Sequence, residues 1–187
     1  MIRKSIILFF TALVPIVAIA DVPNWQIVPD KSTISFTAIQ NNAPVSGSFS
    51  SFTGDIQFDP NQLATSKVSI TVDMNSVTAS YADVATNLKT PDWFDVKLFP
   101  QAVFTAAKFT KTENNSYQAD GTLTIKGKTV PITLSFVMEE YSQTQAKAKG
   151  SATIKRTAFG IGQGEWAKTD TIKDEVKVEF TLLANRK

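Results

Sequence analysis

A period of two, sustained over long runs, constrains this chain more than any other feature. From Tyr117 the apolar or small residues fall at Tyr117, Ala119, Gly121, Leu123 and Ile125, while Gln118, Asp120, Thr122 and Thr124 take the other side. Lys126-Gly127 marks a turn, and the return run sets Val130, Ile132, Leu134, Phe136 and Met138 against Thr129, Thr133 and Ser135. Successive side chains of a strand point to opposite faces, so the two runs predict a long antiparallel hairpin with one dry and one wet face. Pro131 has no N–H to give to a ladder and predicts a strand end or bulge. The alternation returns at Ala146, Ala148, Gly150, Ala152 and Ile154, and again at Val176, Val178, Phe180 and Leu182. Shorter strands are predicted from Thr33 to Ile39, Val45 to Phe49, Asp55 to Phe58, Lys67 to Asp73 and Val103 to Phe109. Eight or nine strands with no interleaved long helices predict an all-β fold, a closed or nearly closed antiparallel barrel of about eight strands. A two-sheet sandwich is the alternative packing.

Two stretches break the pattern. Val77, Tyr81, Val84 and Leu88 recur at helical spacing, and Thr90-Pro91 reads as an N-cap and first position opening a short turn through Phe94. This predicts a short helical excursion against one barrel end. The second break, Ala158 to Lys168, carries Gly160, Gly162 and Gly164 ahead of Trp166. It lacks the strand–turn–helix setting of a dinucleotide or phosphate loop and reads as a loop or bulged strand.

Arg3 and Lys4 precede an apolar run from Ile6 to Ile19 that closes on Ala18-Ile19-Ala20. This is the pattern of a secretory signal, predicting cleavage after Ala20 and a periplasmic or secreted single domain over 21–187. A retained membrane anchor is the alternative, but a spanning helix needs about 20 apolar residues and Pro15 interrupts this run. Removing residues 1–20 takes the basic count from 19 to 17, equal to the 17 acidic residues. A neutral chain offers no clustered positive charge for nucleic acid. The sequence has no histidine and no cysteine, which excludes Ser–His and Cys–His nucleophiles, thiol redox chemistry and the usual zinc sets. Binding without a metal or cofactor is favoured over catalysis. The remaining enzymatic reading, a hydrolase or isomerase using carboxylates, needs paired Asp or Glu, whereas Asp55, Asp120 and Glu179 fall on outward or turn positions.

Six ordered segments carry a family resemblance. They are Lys31-Ser32-Thr33-Ile34-Ser35-Phe36; Val45 to Phe49 with Phe52-Thr53-Gly54; Asn87-Leu88-Lys89 with Asp92-Trp93-Phe94-Asp95; Phe99-Pro100; Gly121 to Gly127; and Arg156 with Phe159-Gly160. Together they resemble the YceI-like family of exported lipid-binding proteins, from roughly Trp25 to Ala184. The resemblance implies a lipocalin-like barrel whose tunnel holds a long-chain lipid, such as a polyisoprenoid, a quinone or a fatty amide. It also implies a carrier or scavenger role, with presentation of a quinone-like lipid to a membrane redox partner as an alternative. The oligomeric state stays open, a homodimer included. The chain departs from the family pattern at Lys31 and Asn87, where many members have histidine, and at Ala158, where aspartate is common. Trp93 and Gly164-Glu165-Trp166 resemble one subgroup more closely.

A tunnel needs small residues along its axis and apolar walls. The small face of Ala146, Ala148, Gly150 and Ala152, beside Ala119, Gly121 and Leu123, would leave space, and Phe36, Phe49, Phe58, Phe104, Phe136 and Phe180 would wall it. The same phenylalanines could fill that space as a dry core. For a head group, Arg156 is the first candidate, because its guanidinium can fork onto a phosphate or donate to a quinone or amide oxygen. A salt bridge from Arg156 to Asp92 or Asp95 is the structural alternative. Lys89, Asn87, Trp93 and Trp166 complete the head-group candidates.

Overall fold

The computed structural model describes residues 21–187, so the expected signal sequence lies outside the described residues. Eleven strands form one antiparallel sheet: β1 Asn24–Ile27, β2 Thr33–Gln40, β3 Ala43–Phe49, β4 Phe52–Gln57, β5 Lys67–Asp73, β6 Val77–Ala79, β7 Gln101–Glu113, β8 Ser116–Ile125, β9 Lys128–Tyr141, β10 Gln145–Lys155 and β11 Glu175–Arg186. Six of them act end to end as three bent staves. β1 pairs with β4 while β2 pairs with β3, and β4 pairs with β5 while β3 pairs with β6. The barrel therefore has eight staves, and the ring closes where both β1 and β2 lie along β11. The sandwich alternative is excluded.

The long hairpin predicted by alternation is β8 and β9, joined at Lys126-Gly127 with Ile125 opposite Lys128. Both turn residues have positive φ, 49° and 70°, the twist that lets two strands meet across a two-residue loop. Gly127 also lies under the Phe99 ring, where a Cβ would approach to 2.9 Å. Pro131 does not end β9. In this register alternate residues of β9 turn their main-chain groups to β8 and to β10, and Pro131 belongs to the set facing β10. The β9–β10 ladder stops at Ser135 opposite Ser151, before Pro131 is reached, and the rest of the two strands runs on without a ladder between them.

The helical excursion is shorter than the spacing predicts. Helix α1 spans Ala82–Leu88; Val77 belongs to β6, paired with Phe49, and Tyr81 is 66% exposed. Val84 and Leu88 are the positions that pack inward. Thr90-Pro91 opens the expected short turn through Phe94: the Thr90 carbonyl accepts from the N–H groups of Trp93 and Asp95 at 3.0 and 2.9 Å, and the Thr90 hydroxyl donates to the Asn87 carbonyl at 2.7 Å. The chain then crosses the barrel end in turns before entering β7. The Gly-rich break is a loop as predicted, with Gly160, Gly162 and Gly164 at φ of 68°, 74° and 62°.

Candidate ligand-binding site

The barrel is hollow. Phe36, Phe49, Phe104, Phe136, Ala148 and Phe180 point inward yet are only half-buried, because one side of each borders a cavity of about 340 Å³. A void of a few hundred Å³ is the size of a small-molecule site and far exceeds a packing defect. Its wall draws on nearly every stave: Ile34, Phe36 and Ala38 from β2, Ile70 and Val72 from β5, Leu123 and Ile125 from β8, Ala148 and Ala152 from β10, and Val176, Val178 and Phe180 from β11.

Not every expected lining residue reaches this space. Ala119, Gly121 and Gly150 are absent from the wall, which corrects the expectation that they open the tunnel. At Gly150 an added Cβ would meet the Phe180 ring at 2.6 Å and Phe136 at 2.7 Å, so this glycine makes room for two rings from neighbouring strands. Gly121 allows the backbones of β7 and β8 to approach, with the Thr105 carbonyl 2.1 Å from where its Cβ would be. The vacated volume is occupied by protein. Phe36, Phe49, Phe58, Phe104, Leu123, Phe136, Ala146, Ala148, Ala152 and Phe180 do line the cavity.

One end is sealed. Phe58, at the end of β4, is 5% exposed and meets Phe109, Tyr117 and Phe136 at ring-centroid distances of 5.4, 5.7 and 5.7 Å. Trp25 is 2% exposed and donates its indole N–H to the Phe58 carbonyl at 2.9 Å, while its ring packs on Tyr141. Burial raises both phenol pKa values above the ordinary tyrosine range, Tyr141 further through the charge of Asp59, so both stay neutral. The floor is aromatic and uncharged.

At the other end α1, the 89–100 crossing, the β8–β9 turn and the 156–174 loop gather around the mouth. The Asp92 carbonyl accepts from the N–H groups of Gly162 and Gln163 at 2.8 and 2.9 Å. The Lys126 ammonium donates to the carbonyls of Pro91 (2.6 Å) and Gly160 (3.1 Å), tying the hairpin tip to both segments. Trp93 and Trp166 come together here with centroids 6.0 Å apart, and both line the cavity with Asn87. Gln40 joins them, a residue the sequence reading omitted although it continues the inward phase of Ile34, Phe36 and Ala38. Lys89 does not line the cavity.

Arg156 reaches the wall but has nothing left to offer a ligand. It is 2% exposed, and its five N–H groups are spent on main-chain carbonyls. Nε donates to Lys173, Nη1 to Ile161 and Gly162, and Nη2 to Lys168 and Ile172, at 2.9 to 3.2 Å. This corrects both expectations for the residue, the phosphate fork and the salt bridge to Asp92 or Asp95. Burial lowers its pKa from the ordinary arginine value and the Asp174 carboxylate opposes that shift. Gly162 must be glycine, because its φ is positive and a Cβ would lie 2.4 Å from Nη1. The loop is wrapped around the guanidinium, and the Gly-x-Gly spacing serves that wrapping.

Comparison with known proteins agrees with this architecture. The YceI-like domain family matches residues 25–184. A UPF0312 protein of Vibrio vulnificus is 33% identical over 91 residues, 49% of this chain and 48% of that protein, and one of Pseudomonas aeruginosa is 31% identical over 120 residues, 62% of each. The aligned part of this chain thus spans about half to two thirds of the curated relatives it matches. Among solved structures, Burkholderia cenocepacia BcnA superposes with a TM-score of 0.80 at 32% identity, over 84% of this chain and 98% of that one. A polyisoprenoid binding domain from Saccharophagus degradans gives 0.70 at 15% identity, over 88% and 99%, a likeness of fold alone. The family match over almost every described residue, on an eight-stave barrel with a sealed floor and a hollow interior, places this chain in the YceI-like domain family.

Proposed function

We propose that this protein is an exported carrier or scavenger that holds one long-chain, neutral-headed amphiphile, isoprenoid or quinone-like, with its tail in the barrel. The observation that carries this reading is the half-buried inner wall, since side chains that point inward without filling the interior leave room for something else. Apolar area removed from water contributes about 25 cal/mol per Å², so a tail along this wall binds without any ionic contact. A neutral head is favoured because no Asp, Glu or Lys lines the cavity and the donors of Arg156 are already used. Asn87, Gln40 and the indole N–H groups of Trp93 and Trp166 suit an alcohol, quinone or amide oxygen. The relative described as a polyisoprenoid binding domain supports the same class. The carboxylate-enzyme reading lacks its groups, as no Asp, Glu or Tyr among the described residues borders the cavity. Organic extraction of the purified protein and mass spectrometry should return a long-chain neutral lipid, unchanged on prolonged incubation with the protein. A phosphorylated lipid, or a product accumulating in proportion to protein, would overturn the reading.

Export rests on the basic, apolar and small-residue succession of Arg3 to Ala20. The intact mass of the exported species should correspond to a chain beginning at Asp21. A membrane-held product retaining Met1 would remove the case for a free carrier.

A further inference from the structure

We infer that Phe58 sets the length of the tail this barrel accepts. The inference rests on the carrier reading above and adds to it a gauge for the ligand. Along β10 the wall runs from Ile154 near the mouth to Ala146 near the floor, eight residues or about 26 Å of strand, and the tilt of barrel strands leaves roughly 20 Å of depth. A tail entering at Asn87 and Trp166 must stop where that depth ends. It ends on the floor, where Phe58 borders the cavity beside Trp25 and is packed by Phe109, Tyr117 and Phe136.

Phe58 is a fixed stop rather than a loose ring. Its carbonyl is held by the Trp25 indole, and its N–H donates to Pro23 at 3.3 Å. The loop after it is braced by Ser66, 2% exposed, whose hydroxyl donates to the Gln62 carbonyl and accepts from the Asp59 N–H. Leu63 and Tyr141 pack on the same cluster, so a smaller side chain at 58 would deepen the cavity among apolar neighbours. At the mouth the lining includes Asn87, which is exposed, so a head group there can reach water while the tail ends against the floor.

The test is a series of straight-chain primary alcohols of increasing length, titrated against delipidated protein. While added methylenes find room in the barrel, each should tighten binding about fourfold. Beyond a cutoff length the gain should stop. Phe58→Leu, which shortens the stop, should move the cutoff to longer alcohols, and Ala148→Leu, which narrows the wall above the floor, should move it to shorter ones. Opposite shifts separate a gauge from general loosening, which would move both variants alike. Should Phe58→Leu fail to fold, Phe136→Leu relieves the same contact from β9 and carries the same expectation. A cutoff unmoved in variants that still bind would overturn the gauge and leave the carrier intact. A wild type that binds no alcohol of any length would overturn both.

Discussion

Ala148→Phe should empty the barrel of lipid while leaving it folded. Ala148 borders the cavity just above its floor, opposite Met138 on β9 and Leu182 on β11. A phenyl ring there projects into the space through which a tail passes, on the cavity side of the cluster that Ala148 packs against. The expected result is loss of co-purifying lipid, by at least tenfold, with a melting temperature within a few degrees of wild type. Were the interior a dry core, the same ring would overpack it at a cost of about 1–3 kcal/mol. Lipid content and melting temperature measured on one preparation separate the cases, and a strongly destabilised variant with its lipid retained would sink the tunnel.

Arg156→Met should have the largest effect on stability. The substitution leaves the carbonyls of Ile161, Gly162, Lys168, Ile172 and Lys173 without the one side chain that draws them together. Unpaired buried acceptors cost on the order of 1–3 kcal/mol each, and some of these regain water, so a net loss of at least about 3 kcal/mol is expected. For a chain of this size that lowers Tm by roughly 10 °C. Arg156→Lys, with three donors in place of five, should recover part of it. The loss should be local first, with protease cleavage between 163 and 171 appearing before the barrel opens. A variant of unchanged stability that had merely lost its ligand would restore Arg156 to the head-group site.

The barrel was legible in the sequence because each long strand carries its own alternation, and a half-buried strand cannot shift register without turning its apolar face to water. The bent staves were less so. β1 has four residues and β6 three, too few for a period of two to declare itself, and both exist because a neighbouring strand is already in place to receive them. The inward phenylalanines were readable from phase alone. Whether they met each other or enclosed a space was not, because hollowness depends on the diameter of eight staves. Arg156 shows the sharper limit. An arginine beside a glycine-rich loop looks the same on paper whether it faces a ligand or the loop itself. The one sequence trace of the answer is the glycine spacing, which places Gly162 where no side chain would fit against the guanidinium.

The early end of the β9–β10 ladder gives the two ends of this barrel different mechanics. Below Ser135 and Ser151 the wall is a continuous hoop of main-chain hydrogen bonds, and to widen it a ladder must break. Above them β9 and β10 part company, and on the far side β6 and β7 are not paired either. The rim is thus two half-shells, spanned by α1, by turns and by the ammonium of Lys126. Two half-shells held by turns, by the hydrogen bonds of the Asp92 carbonyl and by Lys126 have fewer bonds to trade on spreading than a continuous hoop has. A bulky head could be admitted or released by a small parting of the rim, while the grip on the tail below stays rigid.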